Sequence, residues 1–347
     1  MAVALVTGSS GLVGSEVVTH LDERGWTVHG VDNNMRRVLF GEGGDTAPSL
    51  ERLRSTTRRF THHDLDIRDA ARVQSVVRDH RPALIVHAAA QPSHDLAAHR
   101  PRDDFEINAL STLNLLEAAR QWAPESPFVF LSTNKVYGDS PNSVELVELE
   151  TRWEYADPML REGIDESFPI DRSLHSLFGV SKASADLLVQ EYGLNFGLPT
   201  VCFRAGCLTG SRHAAVELHG FLAYLARAFR DGVAYSVYGH KGKQVRDNLH
   251  ARDVATAVMA FAERPQFGAV YNLGGGRTNS VSMLEAIALL EDLTGTELDW
   301  TYVDEPRRGD HICYISDVRR FQADYPAWGV QVSLDDIFTE LATAESH

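Results

Sequence analysis

"ALVTGSSGLVGSEVVTHLDERGWTVHGVD", Ala4 to Asp32, decides the fold. It opens as a short apolar run of β type, passes glycines at 8, 11 and 14, and continues as an amphipathic helix carrying Val17, Val18 and Leu21. Gly25 ends that helix and "TVHGVD" is a second β-type run. The result is a βαβ unit with G-x-x-G-x-x-G at its first turn. Gly8 permits the tight turn, Gly11 lets a pyrophosphate approach the backbone, and Gly14 allows the helix to pack closely on the strand. Ser10, Leu12 and Val13 stand among them at a helix start whose free N–H groups and dipole favour an anion. Asp32 ends the second strand, where a carboxylate accepts both hydroxyls of an adenosine ribose and repels a 2′-phosphate. The expected cofactor is therefore NAD rather than NADP, with Asn33, Asn34 and Arg36 near the same ribose.

Alternation continues outward from this unit. Phe40 to Arg59 lacks periodicity and reads as a loop. "HHDLDIRD" leads into a helix over Ala70–His80, with Asp66 and Ile67 placed to touch an adenine, and "ALIVHAAA" is a buried strand whose end, Ala88 to Ala90, faces the cofactor. "DDFEINALSTLNLLEAARQ" is an amphipathic helix offering Phe105, Ile107, Leu110, Leu113 and Leu116 to the interior, followed by the strand "PFVFLST", a helix around Phe178–Tyr192 and the strand "PTVCFR". Repeated β-α units predict an α/β fold, a doubly wound parallel sheet of Rossmann type. The expected NAD-binding domain comprises residues 1–204 plus about 246–273, and a smaller C-terminal substrate lobe comprises 205–245 plus 274–347. His62 and His63 are adjacent in a strand and point to opposite faces, so no metal is expected of them.

With 347 residues, 44% hydrophobic and 23% charged, the chain has the profile of a soluble globular protein. No apolar run is long enough to span a bilayer and the N-terminus enters "VALVTG" without a basic leader, so a cytoplasmic location and no membrane partner are expected. A formal charge of −15 argues against nucleic acid. Three scattered cysteines, Cys202, Cys207 and Cys313, fit neither a disulfide framework nor a structural zinc site.

"FEINALSTLNLLEAARQ", "LSTNKVYGD", "GIDES", "HSLFGVSKASAD", "GKQVRDNLHARDV" and "YNLGGG" occur in this order. In them the chain resembles the extended short-chain dehydrogenase/reductases that modify nucleotide sugars, and within that group it is similar to the CDP-tyvelose (CDP-paratose) 2-epimerases. The resemblance implies NAD, a nucleotide sugar or nucleoside as the small-molecule substrate, and a homodimer to which the helix over Asp103–Gln121 contributes. It places Thr133 at the catalytic Ser/Thr position, Ser132 beside it, Lys182 at the lysine that binds the nicotinamide ribose, and Asn108 at a structural and active-site asparagine. Gln91, Arg246, Arg212 and Arg308 are implied on the substrate side.

The chain departs from the pattern first at the general base. The spacing Tyr-x-x-x-Lys is kept, yet Phe178 stands where the tyrosine belongs, so no phenol is present to take a proton. Cofactor binding survives, because Phe178 and Lys182 still share a helix face. Acid–base work must pass to another group. Candidates are His175, just upstream of the helix, Cys207 in the altered stretch "RAGCLTG", and Thr133 through water. Asn134 and Lys135 replace the Asp-Glu pair of sugar-nucleotide 4,6-dehydratases. An epimerase that oxidises and re-reduces its sugar, a dehydratase working through the same transient ketone, and a non-catalytic NAD sensor all follow from this pattern. Leu146 to Ser167 reads either as a lid over the sugar or as an irregular surface excursion.

Overall fold

The computed structural model describes residues 1–216, 220–307 and 309–344. Among them the chain begins β1 (Val3–Thr7), α1 (Leu12–Glu23), β2 (Thr27–Asp32), α2 (Met35–Phe40), α3 (Ala47–Thr56), β3 (Phe60–Asp64), α4 (Ala70–His80) and β4 (Leu84–His87). It continues α5 (His94–His99), α6 (Pro101–Phe105), α7 (Ser111–Trp122), β5 (Phe128–Thr133), β6 (Leu146–Glu148), β7 (Trp153–Tyr155), α8 (Leu177–Leu194), β8 (Thr200–Ala205) and β9 (Cys207–Thr209). Next come α9 (Phe221–Asp231), β10 (Tyr235–Tyr238), β11 (Val245–His250), α10 (Ala251–Glu263), β12 (Ala269–Leu273) and β13 (Ser280–Ser282). It ends α11 (Met283–Thr294), β14 (Trp300–Val303), β15 (Cys313–Tyr314), α12 (Arg319–Asp324) and α13 (Leu334–Thr343).

Seven strands form one parallel sheet in the order β12-β8-β5-β4-β1-β2-β3. Its inner strands β1, β4, β5 and β8 are buried on both faces, as near-continuous apolar runs require, whereas the edge strand β3 has no buried residue. Alternation sends Val6, Val86, Val129 and Phe203 to the face covered by α1 and α10, and Leu5, Ile85, Phe128 and Phe130 to the face covered by α4, α7 and α8. Strand order reverses at β1 and β4, which opens a crevice at the carboxyl edge.

The lobe has its own core. Leu222, Leu225 and Phe229 of α9 pack with Ile287 and Leu290 of α11 and with Ile337 and Phe338 of α13. β11 pairs with β9, β13 and β15 in a small mixed sheet rather than with the large one. Residues 318–328, assigned to the lobe by sequence, instead close the large sheet's core: Phe321 and Trp328 sit edge to face at 4.9 Å, with Phe321 against Phe203 and Tyr271. Aromatic rings at the end of a chain fill whichever core has room, and linear order does not reveal which.

Three further local readings need correction. Phe40 to Arg59 is largely helical, because Pro48 starts α3 and Leu53 is completely buried in the core beneath α1; a single inward residue left no periodic signal. The helix expected over 103–121 is interrupted by a π-helical turn at Glu106–Leu110. The extra residue shifts the helical phase, so Ile107 and Asn108 face inward whereas Phe105 and Leu110 are exposed at 48% and 44%. Leu146 to Ser167 opens with the β6–β7 hairpin, fastened by Arg277 to Glu154 at 2.6 Å and Arg152 to Ser280 at 2.8 Å; it lines no part of the crevice, so of its two readings the surface excursion fits and the lid does not.

Candidate active site

A cleft of about 890 Å³ runs along the carboxyl edge and continues beneath the lobe. Its first half is built by the glycine turn. Gly8 adopts φ 67, and a Cβ there would stand 2.7 Å from the Ala89 nitrogen; one on Gly14 would stand 2.0 Å from the Gly8 oxygen. The three chain segments therefore touch through backbone alone. Ser10, Gly11, Leu12 and Val13 line the cleft at the start of α1, and the Ser10 hydroxyl is buried without a protein partner. Asp32 accepts the Ser10 N–H at 3.0 Å and the Asn34 N–H at 2.8 Å, which fixes its carboxylate at the cleft wall. An unspent hydroxyl at a helix start and a fixed carboxylate beyond it fit the pyrophosphate and ribose of NAD.

Asn33, Arg36, Ile67, Ala88, Ala89 and Ala90 line the same half, and Arg36 donates to the Ala214 carbonyl at 2.6 Å. Asp66 borders it too, with its carboxylate clasped by Arg68 at 2.6 Å. Asn34 does not line it. That residue has a left-handed backbone, φ 53, and its side chain binds Asp45 and Thr46, where it holds α2 and α3 together.

The middle of the cleft is floored by Ser132, Thr133 and Asn134 and walled by Phe178 and Lys182 of α8. Lys182 donates to the Leu131 carbonyl at 2.7 Å and lies 4.1 Å from the Phe130 ring centroid; burial lowers its pKa to about 8. Thr133 accepts the Lys135 N–H at 3.2 Å. Two implied residues lie behind this wall. Asn108 donates to the Gln91 carbonyl at 3.0 Å, Asp104 at 2.9 Å and Ser181 at 3.1 Å, and Gln91 donates to Asp104 at 2.7 Å. Their amides are consumed in tying the end of β4 to α8, so Gln91 is not a substrate contact. The π turn is what points Asn108 into this network.

His175 is also turned away from the cleft. Its ring nitrogens lie 2.7 Å from the Val136 carbonyl and 3.1 Å from that of Ser173, because the chain must bend there before α8 begins. The imidazole that faces Phe178 belongs to His94, at the start of α5. Its ring stands edge-on at 5.1 Å from Phe178, and its Nδ1 is 2.6 Å from the Ser176 hydroxyl. Burial and the Lys135 charge lower the His94 pKa to about 3, so the ring is neutral. The position of His94 just beyond a parallel strand's carboxyl end was its one visible signal.

At the far end, Lys135 donates to the Gly309 carbonyl at 3.0 Å and lies 3.3 Å from His311 Nδ1. His311 Nε2 is 2.8 Å from the Gly138 carbonyl and donates to it, which leaves Nδ1 to accept from the ammonium. Burial first, then the Arg246 charge, lower the Lys135 pKa to about 8. Cys207 lines the same end, its thiol pushed up to about 11 by burial and thus un-ionised. Arg246 and Arg212 line the cleft but are already paired, with Asp310 and Glu16 respectively. Arg308 lies outside the described residues.

Behind the floor runs a buried network that the sequence did not reveal. Arg204 grips Asp186 at 2.9 Å and 3.2 Å, Ser132 donates to Asp186 at 2.6 Å, and the Tyr137 hydroxyl donates to Asn272 at 2.8 Å. It locks β5, α8, β8 and β12 into one rigid support.

Comparison with known proteins agrees with this geometry. Over 340 residues the chain is 32% identical to CDP-paratose 2-epimerase of Salmonella typhi, covering 96% of each. It is 29% identical to dTDP-glucose 4,6-dehydratase 1 of Escherichia coli (strain K12), covering 90% of this chain and 81% of that one. The NAD complex of UDP-glucose 4-epimerase from Thermus thermophilus superposes with a TM-score of 0.78 at 26% identity, covering 98% of this chain and 97% of that one. The pattern of the "NAD dependent epimerase/dehydratase family" matches residues 4–274, and the chain belongs to that family.

Proposed function

We propose that this chain is an NAD-dependent epimerase of a nucleoside-linked sugar, working through a transient ketone, in which Lys135 replaces the missing phenol as the acid–base group. The observation that carries the reading is that one continuous cleft joins the glycine turn and Asp32 to Thr133, Lys182 and Lys135. NAD, when bound, accepts a hydride from a sugar carbon and gives it back.

The chain's own residues do the rest. Lys182, tethered by the Leu131 carbonyl, orients the ribose next to the reacting ring. Neutral Lys135 removes the proton of the sugar hydroxyl as the C–H bond breaks, and Thr133 steadies that oxygen with a hydrogen bond. Phe178 and His94 form an uncharged wall that keeps bulk water from the ketone. The ketone turns in the cleft and is reduced on its opposite face, with Lys135 returning the proton. Arg246, which lines the cleft, is the group we assign to the nucleotide portion.

A dehydratase is the second reading, because the ammonium form of Lys135 is able to protonate a departing hydroxide beside the same ketone. Incubation with NAD and a panel of nucleoside diphosphate sugars and free nucleosides, followed by mass spectrometry and NMR, tests both. An isomer of unchanged mass is expected; a product lighter by one water selects the dehydratase. Failure to bind NAD, or NAD binding with no product from any substrate, overturns both catalytic readings, and the latter leaves a sensor.

We further infer a homodimer through α8 and the π turn that leads into α7, since Leu110 of that turn and Val180 and Leu187 of α8 are exposed. No helix among the described residues is long and apolar enough to cross a membrane, and the three thiols are unpaired, which supports a reducing cytoplasmic setting.

A further inference from the structure

His62 and His63 diverge to opposite faces of β3, yet His63 has partners that the linear sequence conceals. In the parallel pairing of β2 and β3, Val31 stands beside His63, so His29, two residues before Val31, projects from the same face as His63. That face is covered by α4, whose Val73 and Val77 pack with Val31. The last residue of α4, His80, arrives at the same place.

The three imidazoles converge. His29 and His80 stack with centroids 3.6 Å apart and planes 18° from parallel, and His29 Nδ1 lies 3.0 Å from His63 Nε2. One ring nitrogen from each residue falls within 4.8 Å of the others. His29 is the most enclosed and His63 and His80 are half-buried, none lines the cleft, and two of them stand on strands whose register is fixed by pairing.

We propose that His29, His63 and His80 form a binding site for a divalent transition ion of the zinc class, separate from the active site. Zinc holds imidazole nitrogens at about 2.0–2.1 Å in tetrahedral array, which puts two such nitrogens roughly 3.3–3.4 Å apart. The 3.0 Å between His29 Nδ1 and His63 Nε2 is already close to that value, and a rotation that unstacks His80 from His29 is required to turn the third nitrogen toward the same point. A set of three imidazoles without a carboxylate selects zinc, cobalt, nickel or copper over magnesium and calcium. The entering ion replaces the hydrogen bond between His29 and His63, the proton of that bond moves to the other nitrogen of the ring that donated it, and the fourth position is left to water. The bound ion cross-links the edge strand β3 to β2 and to the end of α4, so it acts as a clamp on the rim of the sheet.

The test uses the full chain, stripped with a chelator and titrated with Co²⁺ and with Zn²⁺. Expected are one tight equivalent per chain, a visible cobalt absorption band, and a rise in melting temperature with zinc as ligand linkage requires. His63→Gln and His80→Gln should each weaken that equivalent at least tenfold, whereas His62→Gln, on the other face, should leave it intact. NAD binding, read separately, should be unchanged in all three. Equal cobalt affinity in the parent, His63→Gln and His80→Gln proteins overturns the site, as does equal loss in His62→Gln. His80→Gln, at a partly exposed helix end, decides the question on its own should His63→Gln fail to fold.

Discussion

Replacing Lys135 with methionine keeps the length of the stem and deletes the amine. If that amine is the acid–base group, losing it should lower kcat/KM by about 10²–10⁴, or about 2.7–5.4 kcal/mol at 1.36 kcal/mol per factor of ten. The pH dependence gives the sharper reading. A lysine with a pKa near 8 is about one-tenth neutral at pH 7 and about nine-tenths neutral at pH 9, so the parent rate should climb roughly tenfold across that window and then level. The sign follows from the base being active without its proton. In Lys135→Met that ascending limb should vanish. The hydrogen bond to Gly309 is lost as well, which costs about 1 kcal/mol of stability and does not mimic a rate effect of this size. Stopped assays by mass spectrometry from pH 6 to pH 10, with NAD affinity measured in parallel, supply the data. A variant that keeps the parent's rate within about threefold, with the same ascending limb, refutes the assignment.

Phe178→Tyr restores the phenol beside His94 and should change kcat by less than about threefold if Lys135 does the proton transfer; a gain of about 10² or more would mark a decayed tyrosine-dependent enzyme. Asp186→Asn leaves the Arg204 guanidinium, whose side chain is only 5% exposed, without its counter-charge, and should cost about 3–5 kcal/mol in urea unfolding. A loss under about 1 kcal/mol would show that the pair is not what braces the floor. Gly14→Ala puts a methyl 2.0 Å from the Gly8 oxygen, forces α1 off the turn and should abolish NAD binding by calorimetry; retained affinity would refute the role given to close backbone packing.

The sheet was legible because its signals are local: apolar runs of strand length, glycines at fixed intervals, and Asp32 at a strand end. The cofactor half of the site shared that legibility, since Gly8 to Gly14 and Ala88 to Ala90 act through backbone. The substrate half did not. His175 looked well placed along the chain, but the bend before α8 spends its ring on two carbonyls, while His94, more than eighty residues earlier, faces Phe178. The resemblance implied Asn108 as a structural and active-site asparagine and Gln91, separately, as a substrate-side residue, yet the two satisfy one another across the π turn. The Arg204–Asp186 pair and the His29, His63, His80 cluster arise from contacts between elements, which no periodicity records.

Arg246 is held by Asp310 before any substrate arrives. An anionic guest must therefore open an existing pair and compete for the guanidinium, whereas an uncharged guest can settle beside the pair and leave it shut. Added salt screens the first kind of guest and barely touches the second. The slope of affinity against ionic strength thus reports whether the natural ligand carries phosphate, without the ligand having to be named first.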